Sequence, residues 1–327
     1  MPPLFQHLLL AAAMAIGCGT AHSQTMPTQA SKPVTLVVSF PSGGAPDQIA
    51  RLLAPRLQAR WKTPIVVMNR PGASGNIGND SVSRAEPDGH TLLITPNTFT
   101  MTPFATPAGA GNHADVVRDF TPIALLSSSS MLLLAHPSLG VKNAQDLVRL
   151  AQSGKELSYA TPGNGSPMHL VGEMFNKAAR LQLHSIPYKG TTQAINDVLG
   201  GHVKLAFLGL PVAKPLIDSG RLVPLATADT QRSTFLPDVP TLREQGFAGV
   251  DIDIWFGVYG PKGMPAALAD DIHKTLAEIM TEPEIASQFK RMYLVVETPS
   301  RQAFADKTRA DVARYGKLFK EFNITAD

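Results

Sequence analysis

The sequence is nearly devoid of cysteine, since Cys18 is the only one among its 327 residues. A disulfide within the chain is therefore excluded, and so is a metal site built from several thiolates. The nine histidines do not replace them, because they are scattered without the helical or hairpin spacing of a metal site. The sequence thus predicts neither a metal nor a cofactor.

Charged side chains are absent from the amino terminus up to Lys32. Within this stretch Leu8 to Ile16 form an apolar core that is too short to span a bilayer. Ala21-His22-Ser23 then supply the small-x-small pattern of a cleavage site. We therefore expect residues 1–23 to be a signal peptide that directs the chain to the periplasm. No basic residue precedes the apolar core, which departs from this pattern, and a lipoprotein anchored through Cys18 is the alternative.

Long basic runs are also absent: 29 basic and 26 acidic residues are interspersed and give a net charge of only +3. Such a distribution disfavours nucleic acid as a partner. Hydrophobic residues make up 44% of the chain and charged residues 17%, which is typical of a soluble globular protein. The length predicts roughly two domains.

What the sequence does contain is a series of glycine-rich turns between apolar runs and amphipathic segments. The first is Phe40-Pro41-Ser42-Gly43-Gly44-Ala45-Pro46-Asp47, which follows the apolar run 34–38 and precedes a segment of helical periodicity. The predicted order is strand, tight turn and helix. Because Pro46 fits the first helical position, the unpaired N–H groups of the first turn and the helix dipole together predict an anion site.

The same design recurs at residues 157–180. Leu157 to Thr161 predict a strand, and the turn Pro162-Gly163-Asn164-Gly165-Ser166 leads into a helix with Ser166 as N-cap and Pro167 at the first position. Each turn alone is equally explained by the conformational freedom of glycine. The presence of two such turns, far apart in the sequence, predicts a ligand that is held between two lobes.

The apolar runs 120–137 and 250–259 are each long enough to pass from one lobe to the other. We therefore predict an α/β fold with two lobes, each a mixed sheet flanked by helices, joined by two crossing strands. The first lobe comprises residues 31–127 and 250–327, and the second comprises residues 128–249. The helical patterns after residue 265 are expected to pack on the first lobe. In a protein with such a hinge, binding of a ligand in the cleft is coupled to closure of the two lobes.

Motifs along nearly the whole mature chain match one family in order. They include Phe40-Pro41-Ser42-Gly43-Gly44, the turn from Asn69 to Gly78, Ala85-Glu86-Pro87-Asp88-Gly89, Gly163-Asn164-Gly165-Ser166, Pro187-Tyr188-Lys189-Gly190, Pro237-Asp238-Val239-Pro240-Thr241 and Trp255-Phe256-Gly257. With these residues the chain resembles the tripartite tricarboxylate transporter substrate-binding proteins, the Bordetella uptake group of periplasmic solute receptors. The resemblance implies the periplasmic-binding-protein, or Venus flytrap, fold.

The resemblance also implies a monomeric receptor whose two turns grip a small carboxylate, largely through backbone amides and ordered water. Its partners would be the permease subunits of a tripartite transporter. The implied ligand-binding residues are Phe40, Pro41, Ser42, Gly43, Gly44, Ala45, Asp47, Asn97, Thr98, Gly163, Asn164, Gly165, Ser166, His169, Tyr188, Lys189, Gly190 and Trp255. Dicarboxylates, tricarboxylates and aromatic carboxylates all remain open.

Three of these residues have a structural alternative. Asp47 is also a cap for the amides of its own helix, and His169 is either a protonated partner of the ligand or a neutral side chain that fixes its loop. Trp255 is either an apolar wall or part of the core. Leu208 stands where many family members have an acidic residue, which disfavours an amino-acid ligand because a dry ammonium group needs an anionic partner.

An enzyme is the competing class of protein. Gly163-Asn164-Gly165 begins like a dinucleotide fingerprint, but Met168 occupies the position of the third glycine and the chain has no phosphate-binding Gly-Lys-Ser loop. The turns at Ser42 and Ser166 lack the nucleophile-elbow pattern. We therefore expect no catalytic residue and no turnover. A receptor that reports its ligand to a membrane sensor kinase is the other alternative.

Overall fold

The computed structural model describes residues 32–105 and 113–324, so the expected signal peptide and Cys18 lie outside the described residues. The strands are β1 Val34–Val38, β2 Ile65–Asn69, β3 Thr91–Pro96, β4 Phe120–Ser129, β5 Met131–Ala135, β6 Ser158–Thr161, β7 His184–Pro187, β8 Leu205–Gly209, β9 Val223–Thr227, β10 Ile254–Pro261 and β11 Val295–Val296. The helices are α1 Ala45–Trp61, α2 Asn76–Ser83, α3 Thr102–Ala105, α4 Ala144–Gln152, α5 Pro167–Ala179, α6 Thr191–Leu199, α7 Leu210–Asp218, α8 Ala266–Met280, α9 Pro283–Arg291 and α10 Arg301–Glu321.

Six strands form the first sheet in the order β11-β4-β10-β3-β1-β2. β1 pairs in parallel with β2 and β3, whereas β10 runs antiparallel between β3 and β4, so the sheet is mixed. The apolar runs of β1 and β3 are buried on both faces, as expected for central parallel strands. Ile49 and Leu53 of α1, Ile272 of α8 and Phe289 of α9 belong to the core on one face.

Five strands form the second sheet in the order β7-β6-β8-β5-β9. β6 pairs in parallel with β7 and β8, and β5 is antiparallel to β8 and β9. Leu170 and Phe175 of α5 pack on one face, and Ala194 and Val198 of α6 pack on the other. The prediction of an α/β fold with two mixed sheets flanked by helices is therefore confirmed.

Two segments connect the sheets. β4 of the first sheet and β5 of the second are separated by Ser130 alone. On the return path the Ile252 N–H donates to the carbonyl of Ala228 at 3.0 Å, and Trp255 then pairs with Ser128 in the first sheet. Because Ser128 still pairs with β10, the first sheet extends past residue 127, where we placed the boundary, and ends just before Ser130.

The last helix differs from the expectation that the carboxyl-terminal segment packs on the first lobe. Phe304 near the start of α10 lies in a cluster with Trp255 on the first sheet. Tyr315 and Phe319 near its end lie instead in the core of the second sheet. A helix of 21 residues is about 30 Å long at 1.5 Å per residue, which is enough to reach both lobes. The helix α10 therefore packs on the cores of both sheets.

Candidate functional site

A cavity of about 400 Å³ lies where residues from both lobes meet, and we call it the interlobe cavity. The first lobe contributes Phe40, Ser74, Asn97 and Thr98, and the second contributes the turn 162–166 at the start of α5. Turns that follow the carboxyl ends of β1, β3 and β6 thus line one cavity. In open α/β sheets, ligands bind at this edge of the strands.

The turn before α5 is fixed by its own side chains. Gly163 and Gly165 have φ angles of +138° and +71°, which favour glycine. The hydroxyl of Ser166 accepts a hydrogen bond from the His169 N–H at 3.2 Å, and this caps α5 as the sequence predicted. The result is a preformed loop at a helix N-terminus, where the dipole favours an anion.

The side chain of His169 stabilises this loop. Its Nδ1 accepts a hydrogen bond from the Gly165 N–H at 3.2 Å, which requires that nitrogen to be unprotonated. Its Nε2 lies 3.9 Å from the Glu173 carboxylate. Of the two alternatives for His169, this geometry favours the neutral side chain that fixes the loop. His169 is absent from the lining of the interlobe cavity.

The first turn is organised in the same way around Asp47. Its Oδ2 accepts from the Gly43 N–H at 2.8 Å and from Arg51 Nε at 3.0 Å, and its Oδ1 accepts from Asn69 Nδ2 at 3.0 Å. Burial alone raises the pKa of the Asp47 carboxyl, but these hydrogen bonds and the charge of Arg51 bring it below the usual value. Asp47 therefore stabilises the turn, as the capping alternative held, although the amide it caps belongs to the turn and not to the helix.

Only Phe40 of the first turn lines the interlobe cavity. Pro41, Ser42, Gly43 and Gly44 are exposed, and the Gly43 amide is already bound to Asp47. Residues 41–45, which were expected to contact the ligand, thus do not line the interlobe cavity in this arrangement of the lobes. Phe40 lies close to Gly75, where an added Cβ would be 3.4 Å from the Phe40 ring.

Asn97 and Thr98 follow β3 and line the cavity as expected. The Asn97 side-chain amide donates to the carbonyl of Asp253 at 2.9 Å, which ties the end of β3 to the returning segment. The hydroxyl oxygen of Thr98 is buried and has no hydrogen-bond partner among the described residues. Because this oxygen is buried, Thr98 lines the cavity with its other atoms.

Four other expected residues lie away from the cavity. The Tyr188 hydroxyl donates to the Asp197 carboxylate, and burial together with that carboxylate raises the pKa of Tyr188 to about 12. The Lys189 N–H donates to Gln193 Oε1 at 3.2 Å, and neither Lys189 nor Gly190 lines the cavity. Trp255 is fully buried, with its indole N–H donating to Asp311 at 2.9 Å. Trp255 is thus part of the core, because β10 turns its side chain away from the cavity.

Several residues that line the cavity were missed by the sequence reasoning. They are Ser74, Met101, Thr102, Ala105, Met131, Met168, Thr191 and Ile254. Ser74 could have been predicted, since it lies in the glycine-rich turn 69–78. The structure gives it a φ of +55°. The methionines and Ile254 could not have been predicted, because an apolar residue that faces a cavity has the same sequence pattern as one that faces the core.

A second cavity of about 560 Å³ lies beside the crossing segments and is lined by Ser128, Ser129 and Ser130. We call it the crossing cavity. Its charged side chains are largely paired with one another: Lys307 lies 3.1 Å from Asp253 and 3.3 Å from Asp311. Carboxylates predominate in its walls, which disfavours an anionic ligand there. Among the described residues no group of acidic or histidine side chains is arranged to hold a metal ion.

The sequence-family model of the tripartite tricarboxylate transporter family receptor matches residues 49–324 of the chain. The chain therefore belongs to this receptor family, and the resemblance seen in its motifs is confirmed. Within the described ranges, no helix is both long and apolar enough to cross a membrane.

Solved structures agree with this assignment. Rpa4515 of R. palustris, solved with adipate, is 31% identical with a TM-score of 0.79, and the match covers 90% of this chain and 98% of that one. The periplasmic binding protein BugD is 32% identical with a TM-score of 0.76 over 90% and 98% of the two chains. MatC of Rhodopseudomonas palustris, solved with bound malate, is 26% identical with a TM-score of 0.75 over 88% and 98%.

Proposed function

We propose that this protein is a periplasmic solute-binding protein that captures a small carboxylate in the interlobe cavity and delivers it to the permease of a tripartite tricarboxylate-type transporter. The observation that carries the proposal is the turn 163–166, which caps α5 and faces Asn97 and Thr98 across the cavity. Solved relatives hold adipate and malate, and BugD is a periplasmic binding protein.

The energetics of such a site suit a receptor. Each hydrogen bond from a preformed donor to a charged group contributes about 1.5–3 kcal/mol, and the helix N-terminus adds about 0.3–1 kcal/mol. A few such contacts reach the roughly 8 kcal/mol of a micromolar complex. The Gly165 and His169 amides are used within the turn and fix it, so the other donors of the turn need little ordering on binding.

The test is a thermal-shift screen of the purified mature protein against monocarboxylates, dicarboxylates and tricarboxylates, followed by calorimetry on the hits. A ligand at 100 times its Kd stabilises the folded state by about 2.7 kcal/mol, so at least one carboxylate is expected to raise the melting temperature. The matching primary amides serve as controls and are expected to leave it unchanged. Stabilisation by amides and not by carboxylates, or catalytic consumption of a hit, would contradict the proposal.

A further inference from the structure

Tyr159 on β6 is fully buried beneath α5. An added Cβ at Gly172 would lie 2.3 Å from atoms of the Tyr159 ring, so glycine allows the helix to pass directly over the ring. The Tyr159 hydroxyl donates to Oε1 of Glu173 at 2.6 Å. Burial, followed by the Glu173 carboxylate, raises the pKa of Tyr159, so the hydroxyl keeps its proton. The packing of this ring thus fixes where the Glu173 carboxylate lies.

Glu173 lies one helical turn after His169, and the two side chains face each other. The Glu173 carboxylate is 3.9 Å from Nε2 of His169. The His169 side chain is 13% exposed and that of Glu173 is 27% exposed, so solvent screens this contact only in part. A negative charge at this distance favours a proton on Nε2 and disfavours a lone pair there.

The other nitrogen of the His169 ring contacts the turn 163–166. Nδ1 accepts a hydrogen bond from the Gly165 N–H at 3.2 Å. A neutral imidazole has one donor nitrogen and one acceptor nitrogen, so this bond also requires the proton to be on Nε2. The opposite tautomer would direct an N–H group against the Gly165 N–H. The Gly165 amide would then lose its acceptor, and the turn would lose one of the bonds that fix it.

We infer that Glu173 is a positioning residue of the binding site: its carboxylate, held by the Tyr159 hydroxyl, keeps the proton of His169 on Nε2 and thereby fixes the turn 163–166 in the form that receives the ligand. This inference rests on the proposed function, which places the carboxylate of the ligand at that turn. Neither Glu173 nor Tyr159 lines the interlobe cavity. Both therefore act on the ligand through His169.

The direct test is nitrogen NMR of the histidine rings in the ligand-free mature protein at pH 7.5, which is above the ordinary histidine pKa of about 6.5. Protonated and unprotonated ring nitrogens have separate signals, and His169 of the wild type is expected to carry its proton on Nε2. Glu173→Gln keeps an oxygen that accepts from Tyr159 but removes the charge. The two His169 signals should then move toward each other as the Nδ1-protonated fraction rises. Unchanged signals overturn the inference.

Calorimetry at the same pH measures the consequence for binding. The probe is whichever of benzoate, adipate, malate and citrate the wild type binds most tightly. Glu173→Gln is expected to weaken its binding at least threefold, and Tyr159→Phe, which removes only the hydroxyl, should weaken it less. Glu321→Gln is the matched control, because Glu321 pairs with Lys177 near the other end of α5, and it should keep the wild-type affinity.

Two results of the calorimetry have different meanings. Wild-type affinity in Glu173→Gln, despite altered His169 signals, contradicts the positioning role but leaves the proposed function standing. Failure of all four acids to bind the wild type contradicts the proposed function and with it the role of Glu173 in binding, whereas the NMR result still decides whether Glu173 controls the His169 proton.

A double-mutant cycle separates this role from a general stabilisation of α5. In His169→Asn, Oδ1 of the new side chain replaces Nδ1 as the acceptor for the Gly165 amide, and there is no ring proton to place. Adding Glu173→Gln to this variant is therefore expected to change the affinity less than twofold. A loss as large as in the wild-type background would show that Glu173 does not act through His169, and would overturn the inference.

Discussion

At the residue scale, both glycine-rich turns are stabilised by a hydrogen bond from a glycine amide to a side chain, which is a carboxylate in one turn and an imidazole in the other. In each, a glycine amide donates to a side chain four residues later: Gly43 to Asp47 and Gly165 to His169. The sequence predicted both turns from glycine and proline, yet it did not indicate that these amides are spent inside the loops. Which backbone amides remain available to a ligand therefore depends on side-chain geometry, and the spacing of residues in the sequence does not predict that geometry.

Gly165 offers a sharp test of the site at this scale. Gly165 and Gly140 have φ angles of +71° and +73°, so alanine at either is strained to a similar degree, by about 1–2 kcal/mol. A Cβ at Gly165 would lie 3.1 Å from the Ala105 Cβ, whereas one at Gly140 meets nothing within 4 Å. Urea denaturation should show a loss of stability in both variants, with the larger loss in Gly165→Ala because its Cβ also meets Ala105.

Calorimetry should separate the two variants. Gly165→Ala is expected to weaken carboxylate binding at least tenfold, because the added carbon pushes the turn against Ala105 at the cavity wall. Gly140→Ala, which lies away from the cavity, should retain the wild-type affinity. Wild-type affinity in both variants would remove the turn 163–166 from the binding site.

At the scale of elements, strands and turns were predicted well and long-range packing was not. The strand at residues 34–38 and the helix that follows the first turn appear as expected, because local periodicity and proline placement determine them. The reach of α10 was missed, since its stripe of Phe304, Tyr315 and Phe319 has the same helical spacing whichever core it faces. Met101, Met131 and Met168 in the wall of the interlobe cavity were missed because an apolar residue facing a cavity has the same sequence pattern as one facing the core.

The reach of α10 makes a prediction of its own. Phe319 is 4% exposed in the core of the second sheet, although it lies near the end of the chain. Phe319→Ala is expected to cost about 3–5 kcal/mol of unfolding free energy and to increase hydrogen exchange in β5, β6 and β8. Phe289→Ala is the control: Phe289 is fully buried in the core of the first sheet, so exchange should rise in β1 and β3. Exchange that rises in the first sheet for both variants would show that α10 does not stabilise the second lobe.

At the scale of the whole molecule, the lobes are joined through a polar region. The crossing cavity lies against both connecting segments, with Ser130 on one and Asp253 on the other. Asp229, just after β9, lines it too, and its Oδ2 has no hydrogen-bond partner among the described residues. Burial, with a smaller contribution from the Asp253 carboxylate, raises the pKa of Asp229 to about 6, although the Ser130 hydroxyl and the Met131 N–H act in the opposite direction. A carboxyl with a raised pKa at this junction makes the stability of the two-lobed molecule depend on pH.

The sign of that dependence follows from proton binding. The ordinary pKa of this carboxyl is 3.8 and the folded value is about 6, so between these pH values the folded state binds more protons than the unfolded state. The free energy of unfolding therefore falls as pH rises through this window. At about 1.4 kcal/mol per unit of pKa, the contribution lost by pH 7.5 is about 1–3 kcal/mol. Asp229→Asn removes the ionisation, so its stability relative to wild type should increase from pH 4.5 to pH 7.5.

Urea denaturation at pH 4.5, 6.0 and 7.5 measures this change in stability. Asp238→Asn is the matched control, because Asp238 is exposed in a loop of the second lobe, and its curve should run parallel to that of the wild type. If Asp229→Asn also runs parallel to the wild type, or loses stability as pH rises, the Asp229 carboxyl is not held in its protonated form by burial. A slope that changes in Asp229→Asn alone would locate a pH-sensitive contribution to folding at the junction through which the lobes are connected.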